Sequence, residues 1–348
     1  LVEAGMDPTC FLGGELVPLG GNLRVGGPLT VVEACEAYNS FLDLTPEAAI
    51  VTNIEVDHLH FHGTPEHLFE SFRQFLRQVQ ALAVLNGDDP LLSEMRQIPP
   101  RSVTYGLGAG NEYRAAEVRL GATPTFTLLH GTERLGDITL QVPGVHNVSD
   151  ATGAAALALE LGADFSAIQR ALAAFPGMHR RFERIGMCGE IAVVDDYAHH
   201  PTEIRATLAA AREAFPGRIV AIFQPHLFSR TRDLLEEFSQ AFAQADAVCI
   251  APIYPAREAP IPGVDHRQLA ERIAARQPET PVLALNALQD AVHILAHAAG
   301  VADAPAQPDI MPRLHNGDVI ITVGAGDVDV LARALVHFTS THATEAER

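Results

Sequence analysis

The sequence predicts an α/β protein of two domains: a mostly parallel sheet with a small β-meander, then a Rossmann-like domain. Three observations carry that expectation. Short apolar runs empty into polar clusters, as buried parallel strands do where α/β sheets place ligands. From residue 183 onward, strand-like runs alternate with amphipathic helical runs, the pattern of a doubly wound sheet. A length of 348 residues suits two domains at a prior of ~150 residues each. The boundary is expected in PGMHRRFERIG, which gives domains of 1–178 and 179–348.

Residues 1–10, LVEAGMDPTC, lack a starting Met and read as a helix end running into a loop, so a cut is expected there. Residues 11–30 carry Gly13-Gly14, Gly20-Gly21 and Gly26-Gly27 as turn signals between short strands. Two apolar runs follow, Thr30–Val32 and Ala48–Val51, both expected as buried parallel strands. The first delivers Glu33 and Glu36, and the second delivers Thr52, Asn53, Glu55, Asp57 and His58. A carboxylate and an imidazole gathered at such strand ends suit a divalent cation on a nucleotide. Helical spacing of Leu68, Phe69, Phe72, Phe75, Leu76 and Val79 predicts a helix over 65–80, with Pro65 in its first turn. A buried strand at 81–90 ends at Asn86–Asp89. The pieces VTYGL, YRAAEVRL, TFTLLH and DITLQV predict a β-meander over 101–142. An Ala-rich helix follows, with His146, Asn147 and Asp150 expected as its capping end. Another helix, Phe165–Phe175, stops at Pro176-Gly177.

In the second domain the predicted strands are 191–196, 218–223, 247–252, 281–285 and 318–324. Helices are expected at 201–214, 230–244, 266–275, 287–298 and 327–338, and a surface loop at 299–313. Three strand ends are loaded: DDYAHHPTEI, QPHLFSRTRD and IYPAREAPIPG. Arginines and histidines concentrated there predict one electropositive pocket, formed by His199, His226, Arg230 and Arg232, because guanidinium matches carboxylate and phosphate geometry. Taken singly, each of these residues also fits a helix-capping or structural role.

Composition excludes several classes. The net charge of −19 argues against nucleic acid or an anionic membrane as a general partner. Four cysteines without CxxC spacing suit buried thiols of a reducing cytoplasm. No apolar run approaches the ~20 residues that cross a bilayer, and no signal peptide is legible. HLHFHG (58–63) resembles the histidine clusters of metal-dependent hydrolases, but the partner carboxylate that such a site needs does not follow.

The motifs EACE-x3-SFL (33–42), TNIEVDH (52–58), VPG-x-HN (142–147), RRFE (180–183), VVDDYAHHPTEI (193–204), FQPHLFSRTRD (223–233), IYPAREAPIPG (253–263) and TVGAGDV (322–328) together resemble the Mur ligase family. They run in the family's order over nearly the whole chain. Within the family they are similar to the branch that joins L-alanine to UDP-N-acetylmuramate in peptidoglycan synthesis. Sibling ligases carry a carbamylated lysine on the helix after the DH motif, and here Phe72 stands in its place.

The resemblance implies phosphorylation of a substrate carboxylate by ATP, followed by attack of the L-alanine amine on the acyl phosphate. It implies that Glu33 and His58 ligate Mg²⁺, and that His146 and Asn147, with Asp150, approach the adenine. Asp196 would meet the ribose and Arg181 the phosphates. His199, His226 and Arg230 would be catalytic, and Tyr197 and Arg232 would contact the substrate. The family's first domain and its GxxGKTT phosphate loop would precede residue 1, and no G-x4-GK[ST] occurs in the sequence. The chain alone is therefore expected to turn over little, and a non-catalytic nucleotide- or partner-binding remnant is the alternative reading.

Overall fold

A computed structural model describes residues 1–57, 59–301 and 311–346. Two units divide the chain, Leu1–Pro176 and Gly177–Arg348. In the first, β1 (Thr9–Leu16), β2 (Gly21–Arg24) and β3 (Thr30–Val32) form a three-stranded sheet of order β2-β1-β3, with β1 antiparallel to β2 and parallel to β3. Two expectations fail here. Gly13-Gly14 lies inside β1 rather than at a turn. Thr30–Val32 is parallel as expected but not buried: Thr30 and Val32 share one face, and both are exposed.

The second sheet of this unit runs β4 (Ala48–Val51), β5 (Leu82–Asn86), β6 (Ser102–Gly106), β7 (Tyr113–Arg119), β8 (Thr125–His130) and β9 (Glu133–Thr139), in that order. Its first four strands are parallel, so VTYGL belongs to the parallel sheet, and only β7-β8-β9 form the antiparallel meander. After the short α1 (Leu59–His62), α2 (Pro65–Gln78) starts at Thr64, whose hydroxyl accepts from His67 N, with proline in the first turn. The sequence reading missed α3 (Pro90–Met95), although Asp89 caps it by accepting from Leu91 N and Leu92 N. The period-2 pattern splits β5 between two cores. Ala83 and Leu85 pack with Phe75 and Leu76 of α2 and Leu92 of α3. Leu82 and Val84 pack with Tyr105 and Ala156, the latter on α4 (Val145–Glu160). Each such buried leucine contributes about 1.5–3 kcal/mol. α5 (Phe165–Ala174) covers the meander beside α4, with Ile168 against Phe126, Leu128 and Ile138.

The second unit holds β10 (Glu183–Cys188), β11 (Ile191–Asp196), β12 (Ile219–Phe223), β13 (Ala247–Ile250), β14 (Val282–Ala284) and β15 (Val319–Val323) in the order β10-β11-β15-β12-β13-β14. All are parallel except the edge strand β10. The sequence reading placed the domain boundary in the segment where β10 begins and expected no strand there, because its half-buried, Arg-bearing pattern lacks a continuous apolar run. Alternate residues of each central strand feed opposite cores. Val194, Ala221 and Phe223 face α6 (Pro201–Ala214), α8 (Leu235–Ser239) and α9 (His266–Arg276). Val193, Val220 and Ile222 face α10 (Asp290–Ala298) and α11 (Val328–Ala346).

The helix expected over 230–244 is instead α7 (Phe228–Asp233) followed by α8, because Leu234 leaves helical geometry at φ −112° and ψ 21°. That break lets Phe238 and Phe242 both reach Phe223, with ring centroids at 5.3 and 5.4 Å. α11 runs past the expected 338 to Ala346. Part of the loop expected at 299–313 lies outside the described residues. Among the described residues no helix is long and apolar enough to cross a membrane.

Candidate active site

In the second unit, β15 sits between β11 and β12, while the connections that follow β12 and β15 pass to opposite faces. Such a reversal opens a crevice at the carboxyl ends of the strands, where α/β sheets bind ligands. The loaded strand ends meet there. Asp195 is fully buried, and its carboxylate accepts from the Thr322 hydroxyl and from Arg180 Nε at 3.1 Å. Burial raises its carboxyl above the ordinary value, with Thr322 and Arg180 opposing. Asp196 accepts from Phe182 N and Ala198 N, both at 2.8 Å, and burial pushes its carboxyl up to about 6. Its two oxygens thus hold backbone, binding the RRFE segment to the end of β11.

Tyr197 packs against two cations: the guanidinium carbons of Arg180 and Arg181 stand 5.0 and 5.3 Å from its ring centroid. His199 packs edge-on against Tyr197 at 5.4 Å and lies 6.1 Å from the ring of His226. Its Nδ1 is 3.1 Å from Tyr197 O and 3.4 Å from Glu203 Oε2. The adjacent His200 takes the capping role instead, forming a capping box with Glu203 at the start of α6. Its function is therefore structural.

At the end of β12, His226 forms a parallel bridge with Tyr254, and their rings stack at 5.7 Å. Arg230 is buried, and its Nη1 donates to His226 Nδ1 at 3.3 Å. Guanidinium has no acceptor, so that contact makes Nδ1 the lone-pair nitrogen of His226. Glu258 accepts from Ser229 N at 2.9 Å and from the Ser229 hydroxyl, tying the third loaded loop to α7. Tyr197, His199, His226 and Arg230 are therefore gathered, with Arg181 exposed beside them. Arg232 departs from the expected cluster. It is half exposed and pairs with its own neighbour Asp233 at 2.7 Å, having turned roughly 200° around α7 from Arg230.

Sequence reasoning missed four residues in this unit: Arg180, Gln224, Thr322 and Asp327. Gln224 is buried and donates from Nε2 to Asp327 Oδ1 at 2.6 Å. All four fall inside the motifs above, and for Gln224 and Thr322 a polar residue within or directly after a buried strand was the available signal.

In the first unit, Glu33 follows β3 and is exposed, with Oε2 accepting from Gly13 N at 2.7 Å. An exposed carboxylate is the hard oxygen donor that Mg²⁺ takes. His58, its expected partner, lies outside the described residues. Among the described residues no group of three or more His, Cys, Asp or Glu is placed to hold a metal. The capping expectation for α4 is corrected: Gly144, at φ 101°, is its N-cap and no side chain caps it. Asn147 Nδ2 instead donates to Pro143 O at 2.7 Å and lies 3.1 Å from His146 Nε2. Asp150 is exposed one turn further along the same face, and Val145 beside them exposes apolar surface.

The Mur ligase middle domain matches residues 29–158, and the Mur ligase glutamate ligase domain matches residues 180–326. A UDP-N-acetylmuramate–L-alanine ligase of Desulforamulus reducens is 44% identical over 343 residues, covering 97% of this chain and 71% of that protein. One from Sorangium cellulosum is 41% identical, covering 96% of this chain and 70% of that protein. Among solved structures, a UDP-N-acetylmuramate–alanine ligase of Thermotoga maritima superposes with a TM-score of 0.78 at 27% identity, covering 98% of this chain and 71% of that one. A MurF ligase of Thermotoga maritima, solved in complex with ADP, shares the fold at a TM-score of 0.70 and 17% identity, covering 97% of this chain and 74% of that one.

Proposed function

Since this chain belongs to the Mur ligase family, we propose that it is the ATP-dependent ligase that joins L-alanine to UDP-N-acetylmuramate in cytoplasmic peptidoglycan synthesis. The observation that carries this reading is the cluster of Tyr197, His199, His226 and buried Arg230 at the carboxyl ends of β11 and β12. Cationic and hydrogen-bonding groups gathered at a sheet's switch point suit a site where negative charge develops.

The γ-phosphoryl group of ATP passes to an oxygen of the substrate carboxylate, giving an acyl phosphate and ADP. The L-alanine nitrogen then bonds to the acyl carbon, the bond from that carbon to the phosphate oxygen breaks to release inorganic phosphate, and that phosphate takes up the proton the amine loses. Arg230 is held in one orientation by His226 and offers its charge to the acyl phosphate. His199 and His226 border the amino acid, and Tyr197 packs against it. Arg181 lies exposed for the phosphates, and Asp196 acts by fixing the Arg181-Phe182 backbone. Each carboxylate oxygen keeps a further lone pair, with which Asp196 meets the ribose. His146, Asn147 and Asp150 receive the adenine. Glu33 and His58 would hold Mg²⁺, which would supply neutralisation of phosphate charge.

The test is ADP release by a protein carrying these 348 residues, supplied with ATP, UDP-N-acetylmuramate and one amino acid at a time. Release that requires both the sugar nucleotide and L-alanine is expected. Release indifferent to the amino acid would overturn the assignment.

A further inference from the structure

Arg180 and Arg181 are adjacent, yet their guanidiniums have different fates. The Arg180 backbone sits at φ 59°, in the left-handed region that a long side chain seldom adopts. That turn sends its guanidinium inward. Nε donates to Asp195, Nη1 to Gly326 O at 3.1 Å and Nη2 to Gly324 O at 2.6 Å. Its own carbonyl accepts from Tyr197 N at 2.7 Å. One side chain thus joins the end of β11, the turn after β15 and the Tyr197 ring.

The turn it holds leans on the rest of the cluster. A Cβ at Gly326 would stand 2.6 Å from Tyr254 Cγ and would collide with Gln224 Oε1. Tyr254 in turn stacks on His226, which meets Arg230. Displacing the turn therefore displaces Tyr254 and His226.

We propose that Arg180 is a positioning residue that sets the amino-acid side of the site, whereas Arg181 is the member of the pair that meets phosphate. This rests on the ligase reading above. Lysine cannot replace Arg180, because a single ammonium cannot satisfy three acceptors that diverge around a planar fork.

The experiment compares Arg180→Lys, the double variant Arg180→Ala/Asp195→Asn and Arg181→Lys with wild type. The double variant removes the buried carboxylate that Arg180→Ala alone would strand, so a folded protein remains to measure. Both Arg180 variants should raise KM for L-alanine by about 10- to 100-fold, the cost of misplacing a site by about 1 Å. Their KM for ATP should stay within about twofold, and Arg181→Lys should show the reverse split. Independently of turnover, amide exchange at 324–328 should accelerate by about tenfold or more in the Arg180 variants, with 219–223 unchanged.

An Arg180→Lys protein that raises KM for ATP and spares L-alanine would make Arg180 a phosphate ligand and overturn the proposal. Unchanged exchange at 324–328 would show that no clamp exists and overturn it as well. If a full-length protein carrying these residues releases no ADP with L-alanine, the ligase reading fails, and exchange alone then decides whether the clamp stands.

Discussion

Asp196→Asn tests how the buried end of β11 is held. Burial is the largest influence on Asp196, raising its carboxyl to about 6, against the bonds from Ala198 N and Phe182 N and the charge of Arg181. The unfolded value is ~3.9. The folded state therefore binds this proton more tightly than the unfolded state does. The stability it contributes is fully present below pH ~3.9 and is lost as pH rises through about 6. That displacement of the carboxyl corresponds to about 3 kcal/mol over the whole window, and about 1.4 kcal/mol of it falls between about pH 5 and pH 7.5. Asparagine abolishes the titration but offers one acceptor for two backbone N–H groups, a pH-independent cost of about 1–3 kcal/mol. Urea unfolding of both proteins at those two pH values isolates the contribution of this proton. Wild type should lose about 1.4 kcal/mol more than Asp196→Asn on going to the higher pH. Parallel pH profiles, or wild type gaining on the variant, would refute the reasoning.

Gly153→Ala should destabilise the first unit by about 1–2 kcal/mol, although the same change in an open helix gains about 1 kcal/mol. The reason is the fully buried ring of Tyr105, whose Cζ would lie 2.7 Å from the new Cβ; a rise in the urea midpoint would show that the ring can yield. Glu33→Gln should raise the Mg²⁺ concentration needed for half-maximal ADP release by about tenfold or more, and chelation should stop release altogether. An unchanged Mg²⁺ requirement would remove Glu33 from the metal's ligands.

The parallel sheet of the second unit was legible because IAVVDD, RIVAIF and DVIITVG are continuous apolar runs between amphipathic helices. β10 was not, since an edge strand with one solvated face carries no such run. Position in the sheet was equally hidden. Nothing local to DVIITVG says that it inserts between β11 and β12, yet that insertion creates the crevice. Within the cluster, Tyr197, His199, His226 and Arg230 were readable as polar residues directly after strands. Arg232 was misjudged because two steps along a helix reverse the direction of a side chain. Asp196 looked like a ligand-binding carboxylate, and only the fold reveals that each of its oxygens also accepts from a backbone donor. Arg180 and Arg181 cannot be told apart in sequence either, because the left-handed backbone at Arg180 is what separates them.

Activation of a carboxylate as an acyl phosphate is the central claim made for this family member, and isotope transfer tests it most directly. UDP-N-acetylmuramate labelled with ¹⁸O in its carboxylate is turned over with ATP and L-alanine, and the phosphate released is weighed. One labelled oxygen should be carried into each inorganic phosphate, with the other retained in the amide. Label appearing in AMP, or phosphate free of label while amide accumulates, would contradict the claim.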